Sequence, residues 1–439
     1  MIENLSILLQ FLIFILFFSF PLNIFNKKYL FKNYTLTISD CYCLNIIFHL
    51  NFFLLASFFD ANQVSYFYSI IFLTVLFNIF YLREYLKFYH GNKDCLVNFL
   101  FFSIIVIGLF LNIASEAKLE WDALAHWVWK TTSFYEDMGI KNIKNLPFPD
   151  YPHLGPYVWS FFWKNSFMQY EYFGRLFYLF FYVVAIFSII TCFFKKTNFI
   201  KYLLIMLFIL LTYDAFMFSG YQEYLLFIIL IIISRFSFLF NKDPKYLFIL
   251  IFSSHLLMWI KDEGLFYYII FTIPFIIIAN YNVSKKLIII SLCLMFPIIQ
   301  FFLQKYLIGH YGFQADVISS SLLDLLDYKI LFPKILLIIK YILISMVKYK
   351  LWLINIVTIL IITLYSSKLY QIFRIYLWIF FLNFVFIFAV YLHTPYFSEF
   401  LLRVTLDRLL FHTSGFFLPM FLVLTSKIII DTDHKISNT

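Results

Sequence analysis

Fifteen positions hold the densest group of reactive side chains in the chain: Glu116, Glu120, Asp122, His126 and Lys130, interleaved with Trp121, Trp127 and Trp129. Asp122, His126 and Lys130 recur every fourth residue. A short amphipathic helix over 122–130 would therefore put a carboxylate, an imidazole and an ammonium on one face. Such a trio can take a proton from a hydroxyl and steady the charge that develops. The same residues also fit a plainer scheme, with Asp122 as a helix N-cap and His126 packed at an interface. A zinc site on His126 and carboxylates has neither HExxH nor CxxC spacing behind it.

Downstream, Pro147, Pro149, Asp150, Tyr151, Pro152, His153, Gly155 and Pro156 form a second segment. Four prolines in ten positions fix φ and remove donors, which predicts a stiff, non-helical loop suited to positioning a substrate. It also fits a simple return turn. Tyr213-Asp214 with Gln222-Glu223, and Lys261-Asp262-Glu263-Gly264, place carboxylates at helix mouths, where charges near hydrocarbon usually line an aqueous cavity. A solvated connector with Gly264 at a helix boundary is the bland reading. Last, His393, Glu399, Arg403, Asp407, Arg408 and His412 lead into the final apolar stretch, where Asp407 and Arg408 could equally be a snorkelling boundary pair.

The elements that must position these residues follow from composition. Of 439 residues, 63% are hydrophobic and 13% charged, with a mean hydropathy of +0.88. Soluble domains run to about half apolar and about a quarter charged. A water-soluble globule of this length cannot hide so much apolar surface, so a soluble enzyme and a disordered chain are both excluded. The sequence predicts an all-α polytopic membrane protein forming one integral membrane domain over 1–439. Apolar windows near 5–25, 40–59, 65–82, 96–114, 172–194, 199–217, 221–240, 246–260, 265–280, 286–303, 351–366, 375–391 and 409–427 give about thirteen spans.

Sidedness follows from charge. Alternate loops carry 18 bases and six acids, leaving 15 of the 33 bases and 18 of the 24 acids on the other side. The base-rich set is cytoplasmic by the positive-inside rule, with 335–349 read as an interfacial helix bearing Lys340 and Lys348. The first window lacks a basic n-region and a cleavage site, which predicts an anchor with its N-terminus outside. All the acidic and proline-rich segments then share the outer face, including the two long outer loops 115–171 and 304–350. The net charge of +9 is spread over short loops, so nucleic acid is not an expected partner. Cys41, Cys43, Cys95, Cys192 and Cys293 lie in or beside apolar runs and predict no disulfide framework. The 63 Phe and 33 Tyr accompany abundant Ile, Lys and Asn, a pattern of AT-rich coding that lowers the weight of any one aromatic.

Taken in order, these segments resemble the GT-C superfamily of membrane glycosyltransferases, which take sugar from a polyprenyl-phosphate carrier on the non-cytoplasmic face. Trp121-Asp122-Ala123, with Trp127 and Lys130, looks like the acidic first outer loop of that family. Asp150-Tyr151-Pro152 looks like its proline-tyrosine segment, and Lys261-Asp262-Glu263-Gly264 like its lysine-acidic-glycine turn, with Asp262 where Asn is common. Thr405-Leu406-Asp407-Arg408 resembles a late Ser/Thr-x-Asp/Glu-Arg turn. The likeness covers about residues 95–425. Two departures stand out: the acidic loop follows the fourth span rather than the first, and Ala123 replaces the second acid of the usual pair.

The resemblance implies a bacterial plasma-membrane enzyme of inverting mannosyl- or arabinosyltransferase-like architecture, with its active site on the outer face. Its donor would be a polyprenyl-phosphate sugar and its acceptor a glycan, lipid or protein. Asp122 is the expected base. Lys261, Arg403 and Arg408 are expected at the carrier phosphate, with Arg175 and Lys130 in reserve. Asp262, Glu263, His126, Asp150, Tyr151, His153 and Asp407 complete the expected substrate-binding set. No cofactor is implied, and a monophosphate donor does not oblige a metal ion. An O-antigen-type polymerase is the nearest alternative, disfavoured because arginine is absent from 115–171. A lipid-linked-sugar transporter is the next, disfavoured by charges that cluster at helix ends and by the lack of repeats.

Overall fold

The structure is a computed structural model that describes residues 2–20, 36–90, 93–194, 199–215, 217–240, 243–309, 328–365, 367–393 and 399–436. Among these residues every regular element is helical. Eight helices are long and apolar enough to cross a bilayer: Ile38–Phe58, Gln63–Phe80, Asp94–Glu116, Glu171–Phe193, Glu223–Phe240, Val283–Tyr306, Leu369–Leu392 and Thr405–Lys427. Glu3–Phe17, Phe199–Thr212, Tyr246–Trp259, Gly264–Ile278 and Lys350–Leu364 are apolar but shorter. The chain is thus a helical polytopic membrane protein, and each apolar window of the sequence falls on one of these helices. The contacts group into two compact units, Met1–Ile228 and Ile229–Thr439.

The first unit contains α1 (Ile2–Phe17), α2 (Ile38–Phe58), α3 (Gln63–His90), α4 (Lys93–Glu116), α5 (Val128–Tyr135), α6 (Leu154–Lys164), α7 (Glu171–Phe193), α8 (Phe199–Thr212) and the start of α9 (Glu223–Phe240). α7 is its central post, with 89% of its apolar window buried against 17% for α4, which faces outward. Aromatic rings fill the space around α7. Phe14 meets Phe162 edge-on at 5.0 Å, and Phe53 lies 4.6 Å from Phe161, distances at which rings interlock favourably. Several buried polar groups pair across helices, as lipid surroundings favour. His49 bonds the Tyr66 hydroxyl at 2.8 Å and the Phe20 carbonyl at 3.0 Å. Asp40 closes a capping box with Thr37 at the start of α2 and accepts a bond from Ser188 of α7.

The second unit contains α10 (Tyr246–Ser254), α11 (Gly264–Ile278), α12 (Val283–Ile308), α13 (Tyr328–Lys348), α14 (Lys350–Tyr365), α15 (Ser367–His393), α16 (Glu399–Ser414) and α17 (Leu418–Ile436). A 3₁₀ turn at Gly415–Phe417 interrupts the last span. Neighbouring helices satisfy the backbone and side chains around it: Asn355 bonds the Ser414 carbonyl at 2.9 Å, and Asn383 bonds the Thr413 hydroxyl at 3.0 Å. All of segment 335–349 but Tyr349 is part of a full helix, α13, whose Leu336, Ile339, Leu343 and Val347 are exposed along one side. That stripe repeats at three and four residues, the pattern of a helix laid against lipid. The long segments expected as loops are largely structured. Helices α5 and α6 lie in 115–171, and α13 lies in 304–350, of which 310–327 fall outside the described residues. The expected outer loop 392–408 becomes helix at Glu399, with 394–398 likewise outside them. Lys27, Lys28, Lys32, Lys195, Lys196 and Lys242 of the base-rich loops are outside them too.

Candidate functional site

Trp121–Lys130 and Pro147–His153 come together in the first unit. The expected helix over 122–130 forms as part of a helical stretch that runs into α5, and its turn Ala123–Trp127 is π-helical. Asp122 has helical dihedrals (φ −62°, ψ −36°) and makes no capping hydrogen bond, so the N-cap reading does not describe it. Its side chain is 7% exposed and that of Lys130 is 0% exposed, whereas Trp121 is 67% exposed. The face carrying the expected trio therefore points inward at both ends. A π turn widens the helix by a residue and recurs at functional sites. Here it also turns Trp127 inward.

Lys130 Nζ donates to the Tyr151 carbonyl at 2.6 Å and lies 5.8 and 5.7 Å from the Trp127 and Tyr151 ring centres. Trp127 stacks on Tyr151 at 5.6 Å, and Tyr151 on Phe148 at 5.7 Å. The His126 ring stands edge-on to Phe148 at 4.2 Å and to Tyr151 at 5.2 Å. Asp150 is 3% exposed beside this stack. Phe148 has φ +51°, a left-handed conformation that is uncommon for a bulky residue and further disfavoured before Pro149. Residues held this way cost about 1–3 kcal/mol and gather at active sites and ligand clamps. His153 is wholly buried, bonds Ser57 Oγ at 2.8 Å, and has its pKa lowered to about 3 by burial and, secondarily, by Lys130. It is neutral at physiological pH and ties the proline-rich segment to the end of α2.

The turn before α9 closes the same cluster. Glu120 N donates to the Ser219 carbonyl at 3.2 Å. Gly220 sits at φ +104°, and a Cβ there would come within 2.6 Å of Ala123 Cβ and 2.9 Å of the Trp159 ring. Only glycine gives both that backbone and that approach. Gln222 bonds the Tyr178 hydroxyl at 3.0 Å, and Glu223 is fully buried. Arg175, the reserve phosphate ligand, has a structural position instead. It grips Glu171 with two bonds of 2.8 and 3.0 Å and donates to the Lys118 carbonyl at 2.9 Å, lacing α7 to the loop before Trp121. Only the i, i+4 spacing of Glu171 and Arg175 hints at this use.

The second unit gathers the other expected residues. Gly264 lies so close to the preceding turn that a Cβ would fall 1.8 Å from the Leu257 carbonyl oxygen, which is why glycine ends the Lys261-Asp262-Glu263 run. Lys261 Nζ is 3.7 Å from Glu263. Tyr391 bonds Thr405 Oγ1 at 2.7 Å and is within electrostatic range of Glu263, Asp407 and Arg408. Glu263 of the lysine turn and the late Asp407–Arg408 pair thus both act electrostatically on one tyrosine. On α16, Asp407 accepts bonds from Lys348 and Ser345 of α13, and Arg403 Nε donates to the Tyr341 hydroxyl at 3.0 Å. Arg403 lies one helical turn before Asp407, and Lys348 of α13 is an ion-pair partner of that carboxylate. Lys348, Ser345, Tyr341 and Tyr391 were missed because their helix and span carry no motif. Among the described residues no three His, Cys, Asp or Glu side chains are grouped to hold a metal ion.

No family model, curated protein or solved structure matches this chain.

Proposed function

We propose that the chain is a membrane glycosyltransferase that moves a sugar from a polyprenyl-phosphate carrier to a glycan, lipid or protein acceptor outside the cytoplasm. The observation that carries this reading is the joining of Trp121–Lys130 to Pro147–His153. Two buried carboxylates, Asp122 and Asp150, and one buried ammonium, Lys130, lie within a small aromatic cluster beside exposed Trp121. Buried charges are costly and mark function in membrane proteins. All thirteen apolar helices would span, five of them with help from flanking turns, and the charge count would put both clusters on the outer, periplasmic side of a bacterial inner membrane.

In this scheme an acceptor hydroxyl oxygen bonds to the anomeric carbon as its proton passes to Asp122. The bond between that carbon and the carrier phosphate breaks, and the electron pair leaves with polyprenyl phosphate. Attack from the face opposite the leaving group inverts the sugar. Within the second unit, Lys261 and Arg408 are the proposed ligands of a carrier phosphate, where a cation is worth most in a site shielded from water. Arg403 would be held off this role by Tyr341. The lipid tail never leaves the bilayer, which requires the base to sit at the membrane surface.

Lipid extracts of a strain lacking the chain test the reading. Accumulated polyprenyl-phosphate sugar, cleared by the wild-type gene but not by Asp122→Asn, is the expected result. An unchanged lipid pool together with shortened surface polymer would point to polymerase activity instead.

A further inference from the structure

A site that the proposed reaction does not use lies at the opposite end of the second unit's helices. Helices α10 and α12 diverge there and leave an apolar cavity of about 600 Å³. Its walls are Phe248 and Phe252 from α10 and Leu292, Phe296 and Ile299 from α12, with Pro244, Lys245 and Tyr281 at its mouth. Ligand pockets are commonly about 300–1,000 Å³. From Ile289 to Ile299 the groove runs roughly 15 Å along α12, at 1.5 Å per residue, a length suited to a hydrocarbon chain and not to a compact solute. Phe248 and Leu292 are strongly exposed, so the groove opens sideways.

The mouth is cationic. Lys245, which lines the cavity, is largely exposed and pairs with Asp243 at 3.0 Å, and Lys285 lies 4.1 Å from the ring centre of Tyr281, another lining residue. Among the described residues these are two ammoniums against one carboxylate. The charge count of the sequence places this end in the cytoplasm, where the leaflet is anionic, and basic pockets between spanning helices there suit phosphate headgroups. An apolar slot under a net-positive rim complements one molecule: a lipid with a hydrocarbon chain and an anionic phosphate headgroup.

We propose that the α10–α12 groove is a binding site for one anionic phospholipid of the cytoplasmic leaflet, its chain between Phe248 and Leu292 and its phosphate at Lys245 and Lys285. This does not depend on the glycosyltransferase reading.

The test uses the full chain in nanodiscs with traces of diazirine-tailed phosphatidylglycerol or phosphatidylcholine, followed by peptide mapping of the photo-adducts. Phosphatidylglycerol should label 247–252 and 289–299 several-fold more than phosphatidylcholine. Lys245→Gln and Lys285→Gln should each lower the phosphatidylglycerol signal about fivefold, the scale of one charge at an anionic surface, and leave phosphatidylcholine unchanged. Leu292→Trp, which fills the slot, should lower both; Leu292→Phe serves if the tryptophan variant is not monodisperse. Equal labelling by the two lipids, or labelling indifferent to Leu292, would reduce the groove to ordinary annular contact and overturn the proposal. Competition by millimolar inorganic phosphate would assign the rim to a free anion and overturn it too.

Discussion

Lys130 donates its ammonium proton to the main-chain carbonyl of Tyr151 at 2.6 Å, and the side chain making this bond is completely buried. A helix and a proline-rich loop are thereby fixed to each other through a charge that water does not reach. Hydrogen bonds from charged donors contribute about 1.5–3 kcal/mol, and a buried acceptor left without its donor loses its desolvation energy as well.

Lys130→Met should therefore loosen 147–153 more than it loosens any span. Amide hydrogen exchange across that loop should rise at least tenfold, while the core of α7 stays protected. Unchanged exchange in the loop would show that the prolines and aromatic stacking hold it unaided.

Asp122→Asn keeps shape and hydrogen bonding and removes basicity. Transfer from the polyprenyl-phosphate donor should fall about 100-fold or more, the scale of a lost general base, with normal membrane insertion. Near-normal turnover would move the role to Asp150, Glu120 or Glu116.

The cations of the second unit should separate by their partners. On α16, Arg403 and Arg408 are five residues apart, about 140° around a helix, so one phosphate cannot engage both squarely. With Arg403 held by Tyr341, Arg408→Lys should weaken donor binding about tenfold through loss of the guanidinium fork, and Arg403→Lys should not. Lys261→Met should weaken it more than Lys261→Arg. Donor titrations of these four variants decide the assignment, and the reverse order for the two arginines would exchange their roles.

His153 predicts an acid sensitivity. Its folded pKa of about 3 lies below the ordinary value of 6.5, so between those limits the unfolded segment binds a proton that the folded one refuses. Above about pH 6.5 both forms are neutral and the folded joint has its full stability. Stability then declines as pH falls, by roughly 1.4 kcal/mol per unit, until the folded pKa is reached. Protection factors at 150–157, which correct for the slower intrinsic exchange at lower pH, should fall from pH 6.5 to 4.5 in the wild type and stay flatter in His153→Asn.

Gly220→Ala should disturb the site without touching a reactive group. A methyl at φ +104° strains the backbone and also meets Ala123 and Trp159. Transfer activity should drop at least tenfold. The double variant Gly220→Ala with Trp159→Phe should recover little, because the backbone strain remains.

The spans were legible because lipid imposes one rule on every helix that crosses it, and Ile38–Phe58 or Glu171–Phe193 can be read by length and hydropathy alone. The segments outside that rule were less legible. The i, i+4 spacing of Asp122, His126 and Lys130 pointed to a helix there, and Asp122 and Lys130 are buried with His126 half-buried, but periodicity could not show the π turn at Ala123–Trp127. Prolines announced a stiff loop at 147–156, yet the left-handed Phe148 depends on Tyr151 and His126 rings packed around it. Asp407 had an eligible partner four residues away, and the structure gives it Lys348, 59 positions distant, which no local pattern encodes.

The bond from Glu120 to Ser219 also sets an order of manufacture. A chain leaving the ribosome presents Trp121–Lys130 and then Pro147–His153 long before residue 219 exists, and domains tend to form from the N-terminus as they emerge. The early part can stack its rings at once, but Ala123 gains its cover only when Gly220 arrives. The cluster is therefore incomplete in a nascent molecule until the turn ahead of α9 has been made, and truncations ending before that point should accumulate as inserted protein whose 121–130 segment exchanges its amides faster than in the full chain.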